Sequence, residues 1–285
     1  MSLSRMSGAI NGGPQSPPTV LVFDSGVGGL SVCQSILSMC PGVRIIYVAD
    51  NASFPYGTRS ESYLRSRIVN VLSGLCEQHQ PDMLVIACNT ASTLVLADLR
   101  QLLCLPVVGV VPAIKPAAET TQTGAIGLLA TSATVQRDYT DQLVADFAGH
   151  CDVIRVGSSR LVEIAEHYLR GHPVNEGELK AILADFFREG LARKVDKIVL
   201  GCTHFPLLKQ QLESCAPRHV EWVDSGNAIA NRVCSLFKEA GLSLDASHKV
   251  LHRIRFTGEA IANKQFHCQL ALLGFDNVKI EGVII

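Results

Sequence analysis

Two cysteines stand in matching surroundings, Cys88 in "VIACNTAS" (85–92) and Cys202 in "VLGCTHFP" (199–206). Each closes an apolar run and precedes polar residues: Asn89, Thr90 and Ser92 after the first, Thr203 and His204 after the second. A free thiol titrates near about 8.5, and a helix N-terminus or a neighbouring histidine draws it toward neutrality. Such a group both takes and gives protons. A zinc site is one competing use of Cys88, Cys202 and His204, but structural zinc draws its ligands from close sequence pairs that this chain lacks. A single nucleophilic cysteine with His204 as its base is sound chemistry that leaves the second thiol idle. Core packing accounts for both thiols without chemistry and stays open on these residues alone.

Three further stretches carry weaker signals. "DSGVGGLS" (24–31) follows an apolar run and opens a helical pattern, so its backbone N–H groups and the helix dipole suit an anion. Gly26, Gly28 and the later Asp50 imitate a dinucleotide fingerprint. Ser31 stands where the third glycine belongs, however, and Asp24 at the strand tip would repel a pyrophosphate. In "FPYGTRS" (54–60), Pro55 fixes the backbone direction and Gly57 permits close approach. Thr131, in "LLATSAT", reads as a helix cap.

The elements that must position these residues alternate. "TVLVFD" (19–24) and "RIIYVAD" (44–50) read as strands with a helix between them. Thr58 and Glu61 suggest a capping box for a helix over 59–79, where Leu64, Ile68, Val71, Leu72 and Leu75 share a face. "DMLVIAC", a helix over 91–103 and "PVVGVV" continue the series, which is that of a parallel α/β sheet. "VPAIKPA" (111–117) punctuates the chain. The pattern restarts at "AIGLLAT" (125–131), with helices near 134–147, 159–170 and 176–189 and a late strand in "DKIVLGC". Asp82 aligns with Asp196, Val85 with Val199 and Cys88 with Cys202, a weak internal repeat echoed by "FDSGVGG" and "VDSGNAI". Cys88 and Cys202 thereby fall at the C-terminal ends of parallel strands, the edge where such sheets bind ligands.

With 285 residues, 47% hydrophobic and 18% charged, the chain suffices for two ordinary domains. Its formal net charge of -1 gives no general pull toward nucleic acid or an anionic membrane. The apolar run 102–114 is broken by Pro106 and Pro112 and falls short of the roughly 20 residues a bilayer needs. The first 18 residues lack the apolar core of a signal peptide and read as a flexible tail, so a cytoplasmic location is the default. No C-x-x-C pattern occurs among the ten cysteines, and reduced thiols are expected.

Together, "VFDSGVGGLSV", "FPYG", "ACNTAS", "GVVPAIKPA" and "GCTHFPLL" resemble the glutamate racemases of the aspartate/glutamate racemase family, over about Thr19 to Gly226. The resemblance implies two pseudo-symmetric α/β domains with mainly parallel central sheets and the site in the cleft between them. Residues 19–112 plus 225–285 would form the first domain and 113–224 the second, with "RIRFTG" a late strand returning to the first. It implies interconversion of L- and D-glutamate without cofactor or metal. Cys88 would deprotonate the D enantiomer while Cys202 protonates, with roles reversed for L. Asp24, Ser25, Tyr56, Gly57, Asn89, Thr90, Thr203 and His204 match the family's substrate-binding positions, with Thr131 a further contact. Asp24 would assist Cys88 and His204 would assist Cys202. Glu166, in "LVEIAEHYL", fits the family's helical glutamate, with Glu163 three residues earlier and a solvated helix face as the bland alternative. The resemblance leaves room for a cell-wall precursor as activator and for a homodimer.

Overall fold

The computed structural model describes residues 17–242, 244, 250–261 and 263–282. The expected N-terminal tail therefore lies, up to residue 16, outside the described residues.

Among the described residues, ten strands form two sheets. In chain order they are β1 (Thr19–Asp24), β2 (Arg44–Ala49), β3 (Met83–Ile86), β4 (Val107–Gly109), β5 (Ala125–Ala130), β6 (Asp152–Gly157), β7 (Lys197–Leu200), β8 (Glu221–Val223), β9 (His252–Phe256) and β10 (Val278–Gly282). The first sheet runs β10-β9-β2-β1-β3-β4 and the second β6-β5-β7-β8. Every pairing is parallel. Among the described residues eleven α-helices accompany them: α1 (Leu30–Met39), α2 (Glu61–His79), α3 (Asn89–Leu102), α4 (Ile114–Thr120), α5 (Ser132–Val135), α6 (Asp138–Ala148), α7 (Arg160–Leu169), α8 (Glu176–Phe187), α9 (Lys209–Cys215), α10 (Gly226–Glu239) and α11 (Lys264–Leu272).

Helices cover both faces of each sheet, so β1, β3, β5 and β7 are buried along their whole length and read as unbroken apolar runs. Successive β1 side chains enter opposite cores. Val20 and Val22 pack with residues of α1, α10 and α11, whereas Leu21 and Phe23 pack with residues of α2 and α3. In the second sheet the corresponding layers are α7, α8 and α9 on one side and α4 and α6 on the other.

The internal repeat is structural. The order β2-β1-β3-β4 matches β6-β5-β7-β8, and Val85 pairs with Val22 as Val199 pairs with Leu128. Asp82 accepts from the backbone N–H of Thr19, and Asp196 accepts from those of Gln122 and Thr123. Each aspartate thus ties its own strand to the segment that opens the neighbouring central one. The "DSG" echo has another origin. It follows β1 in one place and β8 in the other, which are not counterparts. What the two share is a local turn, with Gly26 N–H on Asp24 Oδ1 at 2.9 Å and Gly226 N–H on Asp224 Oδ1 at 2.8 Å.

Several expectations are corrected. The cap of α2 is Ser60, whose hydroxyl accepts from Tyr63 N–H, while Thr58 lies in a preceding 3₁₀ turn. The single helix expected near 134–147 is two, broken at Gln136 and Arg137. "VPAIKPA" contains the start of α4, because Pro116 sits in its first turn, where a missing N–H costs no helical hydrogen bond. Reduced thiols are found at eight of the ten cysteines. Cys40, closing α1, and Cys234, on α10, form a disulfide instead. These helices pack together and bring the two Cα atoms to 6.4 Å, inside the roughly 4.4–6.8 Å a disulfide spans.

Candidate active site

The C-terminal ends of the two central strand pairs meet around one cavity of about 90 Å³. Ser25 follows β1, Cys88 follows β3, Thr131 follows β5, and Gly201 and Cys202 follow β7. One wall belongs to the first sheet's side, with residues 54–58, Asn89 and Thr90 beside Ser25 and Cys88. The other holds Thr131, Thr134, Ser159, Val162, Glu163, Thr203 and His204 beside Cys202. The two cysteines thus enter a single cavity from different sheets.

Cys88 is the residue before the first turn of α3, so its sulfur stands at a helix N-terminus. Its Sγ lies 3.9 Å from Ser25 Oγ. Burial, followed by the neighbouring Asp24 charge, outweighs the Ala91 N–H and Ser25 contacts and pushes its pKa up to about 12. Cys202 has different company. His204 Nδ1 lies 3.8 Å from its sulfur, and His204 Nε2 lies 3.0 Å from Glu166 Oε1. Burial pushes the imidazole toward neutrality, but its contacts with Cys202, Glu166 and the Asp24 charge win and hold its pKa well above the usual histidine value.

Asp24 and Glu166 stand behind the cavity wall. Asp24 is fully buried, accepting from Gly26 N–H and, at 2.9 Å, from Thr203 Oγ1. Burial raises its pKa against the opposing pull of His204 and these two donors. Glu166 is only 5% exposed, which removes the solvated-face reading of its helix position. Its Oε1 also accepts from Val27 N–H at 2.7 Å, and Arg170 lies 3.5 Å from Oε2. Although burial raises its pKa, His204, Val27 N–H and Arg170 lower it further and keep it below the usual carboxylate range.

Two glycines of "DSGVGG" make room for this cluster. A Cβ on Gly26 would meet Glu166 Oε1 at 2.1 Å, and one on Gly28 would meet His204 Nδ1 at 2.4 Å and Thr203 Oγ1 at 2.7 Å. The loop is stripped of side chains so that residues of the second sheet can approach its backbone. Asp50, the other half of the dinucleotide imitation, is buried and accepts from Arg67, Thr257 and Tyr56.

Of the residues singled out in the sequence, Ser25, Tyr56, Gly57, Cys88, Asn89, Thr90, Thr131, Cys202, Thr203 and His204 line the cavity. Phe54, Pro55, Thr58, Thr134 and Gly201 also line it and lie inside the quoted stretches. Ser159 and Val162 carried no signal there, and Glu163, named only as the neighbour of Glu166, lines the cavity where Glu166 does not. The buried Asn89 Oδ1 has no hydrogen-bond partner among the described residues. Among the described residues no group of three or more His, Cys, Asp or Glu is arranged to hold a metal ion.

The model of a family described as Asp/Glu/hydantoin racemase matches residues 20–233. The chain belongs to this family. A glutamate racemase of Pectobacterium atrosepticum is 50% identical over 221 residues, 78% of this chain and 77% of that one. The crystal structure of Escherichia coli glutamate racemase, in complex with L-glutamate and the activator UDP-MurNAc-ala, superposes with a TM-score of 0.84 at 43% identity, covering 93% of this chain and 98% of that one. The RacE1 isoform of glutamate racemase from Bacillus anthracis gives 0.79 at 28% identity, covering 96% and 99%. The two parallel α/β units are those of this family.

Proposed function

We propose that the chain is a glutamate racemase that inverts Cα by a two-base mechanism, with one base contributed by each of two domains, 19–112 plus 225–285 and 113–224. The observation that carries this reading is the pair of thiols lining one cavity from different sheets. Inversion removes a proton from one face of Cα and delivers another to the opposite face. One base would have to cross the substrate, whereas two need not move.

With L-glutamate bound, Cys202 takes the Cα proton on the side where His204 provides the cation. Cys88 enters as the neutral thiol, consistent with its raised pKa, and gives its proton to the other face. One C–H bond breaks, one forms, and the two sulfurs exchange protonation states. The D enantiomer runs the same steps backwards. Because Cα is a very weak acid, its carbanion-like transition state needs fixed donors and a dry site. The N–H groups opening α3, together with the Ser25, Thr90 and Thr131 hydroxyls, supply donors for carboxylate oxygens. The Asn89 side-chain oxygen, without a hydrogen-bond partner among the described residues, suits the substrate ammonium as an acceptor.

The same reading gives the product to peptidoglycan synthesis in the cytoplasm. It includes a cell-wall precursor as activator, after the ligand named for the E. coli relative, and a homodimer. Among the described residues no helix is long and apolar enough to cross a membrane.

The test is turnover of L-glutamate by the purified chain with no cofactor added, alone and with UDP-MurNAc-Ala. D-glutamate should accumulate toward an equal mixture, while L-aspartate is turned over at a much lower rate. Preference for L-aspartate would reassign the substrate, and binding of glutamate without turnover would make the chain a sensor.

A further inference from the structure

We propose that Arg137 is a positioning residue that latches the two walls of the cavity together; the inference deepens the racemase reading and rests on it. Arg137 sits at the break between α5 and α6, where its carbonyl accepts from Thr140 and Asp141 N–H and its own N–H donates to Thr134 O. That backbone belongs to the second sheet's side, and Thr134 lines the cavity. The guanidinium crosses to the other side. Nη1 donates to Thr93 Oγ1 at 2.8 Å, and Nη2 lies 3.2 Å from Glu61 Oε1.

Both partners are attached to the opposite wall. Thr93 lies in the first turns of α3, and its hydroxyl donates in turn to the carbonyl of Thr90, a lining residue. Glu61 opens α2 just after the lining segment 54–58. One cation therefore joins the three segments that carry Thr134, Thr90 and Thr58. The remaining ties between the two sides cluster around β1 and β7. There Ser31 donates to Thr203 O, Thr203 to Asp24 and Val27 N–H to Glu166, while Asn263 Nδ2 donates to the Arg170 carbonyl where α11 meets the end of α7. The Arg137 contacts involve none of these residues, and α5 packs against the 3₁₀ turn at Tyr56–Thr58.

The ion pair with Glu61 alone is an ordinary surface contact, since Glu61 is 67% exposed. The bond to Thr93 is different. It is part-buried, pairs a charge with a neutral hydroxyl, and forms only when the walls are together. Carbanion chemistry needs the water-excluded, closed arrangement, so a group that favours it acts on the reacting atoms through Thr90 and Thr134 without touching substrate.

Arg137→Ala and Thr93→Val in the full-length chain test this in two ways. The first needs no turnover: iodoacetamide labelling of Cys88 and Cys202, followed by mass spectrometry of their peptides. Both variants should label severalfold faster than wild type at one or both cavity cysteines, with unchanged labelling at buried Cys33. The second is kinetic, with kcat for L-glutamate falling about tenfold or more. Thr93→Val removes the acceptor while leaving the cation, and serves if Arg137→Ala does not fold. Wild-type labelling at both cysteines in the folded variants overturns the latch. An inactive wild type whose variants still label faster overturns the racemase reading and leaves the latch standing.

Discussion

Cys88 and Cys202 occupy equivalent places in two copies of one strand pattern, yet their neighbours differ. Beside Cys88 stand a hydroxyl and a buried carboxylate; beside Cys202 stands a histidine backed by Glu166. That difference sets a pH signature. His204 has its folded pKa raised, so the benefit of its protonated form is complete below the ordinary histidine range and is lost as pH rises through the raised value. Glu166→Gln removes one contributor to that rise. The alkaline limb of kcat/KM should therefore move toward neutrality, with a loss of roughly ten- to a hundredfold at the wild-type optimum. Profiles of both proteins between about pH 6 and 10 check this, and an unmoved limb would detach Glu166 from His204's protonation. Cys88 and Cys202 were legible because thiols at strand ends beside hydroxyl, amide and imidazole groups advertise chemistry, whereas Tyr56, Gly57 and Thr131 entered the site only through the family resemblance. Glu166's burial was not. A glutamate on a helix gives no sign of whether it faces water or an imidazole, and Arg137 was hidden because it was expected inside a continuous helix.

At the scale of elements, legibility followed burial. β1, β3, β5 and β7 stood out as apolar runs because both their faces are covered. β6, β8 and β10 were missed, since they are sheet edges with exposed positions and β8 has three residues. The loop after β2 shows how an element end holds a site segment. Asp50 gathers the Arg67 fork from α2 at 2.6 and 2.8 Å, Thr257 after β9 at 2.6 Å and the Tyr56 hydroxyl at 2.7 Å. Burial opposes its charge, but these donors win and its pKa is lowered. Asp50→Asn should cost roughly 3 kcal/mol, since the partly buried Arg67 loses its counter-charge. It should also raise KM for glutamate, because Tyr56 lines the cavity. Asp50's stabilisation is present above the ordinary carboxylate pKa and lost as pH falls through its lowered value, so the variant's deficit should shrink in acid. Urea melts at neutral and acid pH check this, and equal stability at neutral pH would contradict it.

Taken as a whole, the molecule is one strand order used twice, with the C-terminal edges of both sheets turned to a common space. Two larger crevices, of about 470 and 400 Å³, open elsewhere but contain no cysteine. The chain returns to its first sheet through α10, which packs on α1 and is joined to it by Cys40 and Cys234. This anchors the segment on which the second unit ends. The central claim is that one sulfur from each half acts on opposite faces of the same Cα. Its most direct test is L-glutamate incubated with the chain in deuterium oxide and sampled after few turnovers. The account predicts that D-glutamate carries deuterium at Cα from the start while the remaining L-glutamate does not. Early D-glutamate that keeps its original hydrogen would mean that a single group carries the proton across, and would contradict it.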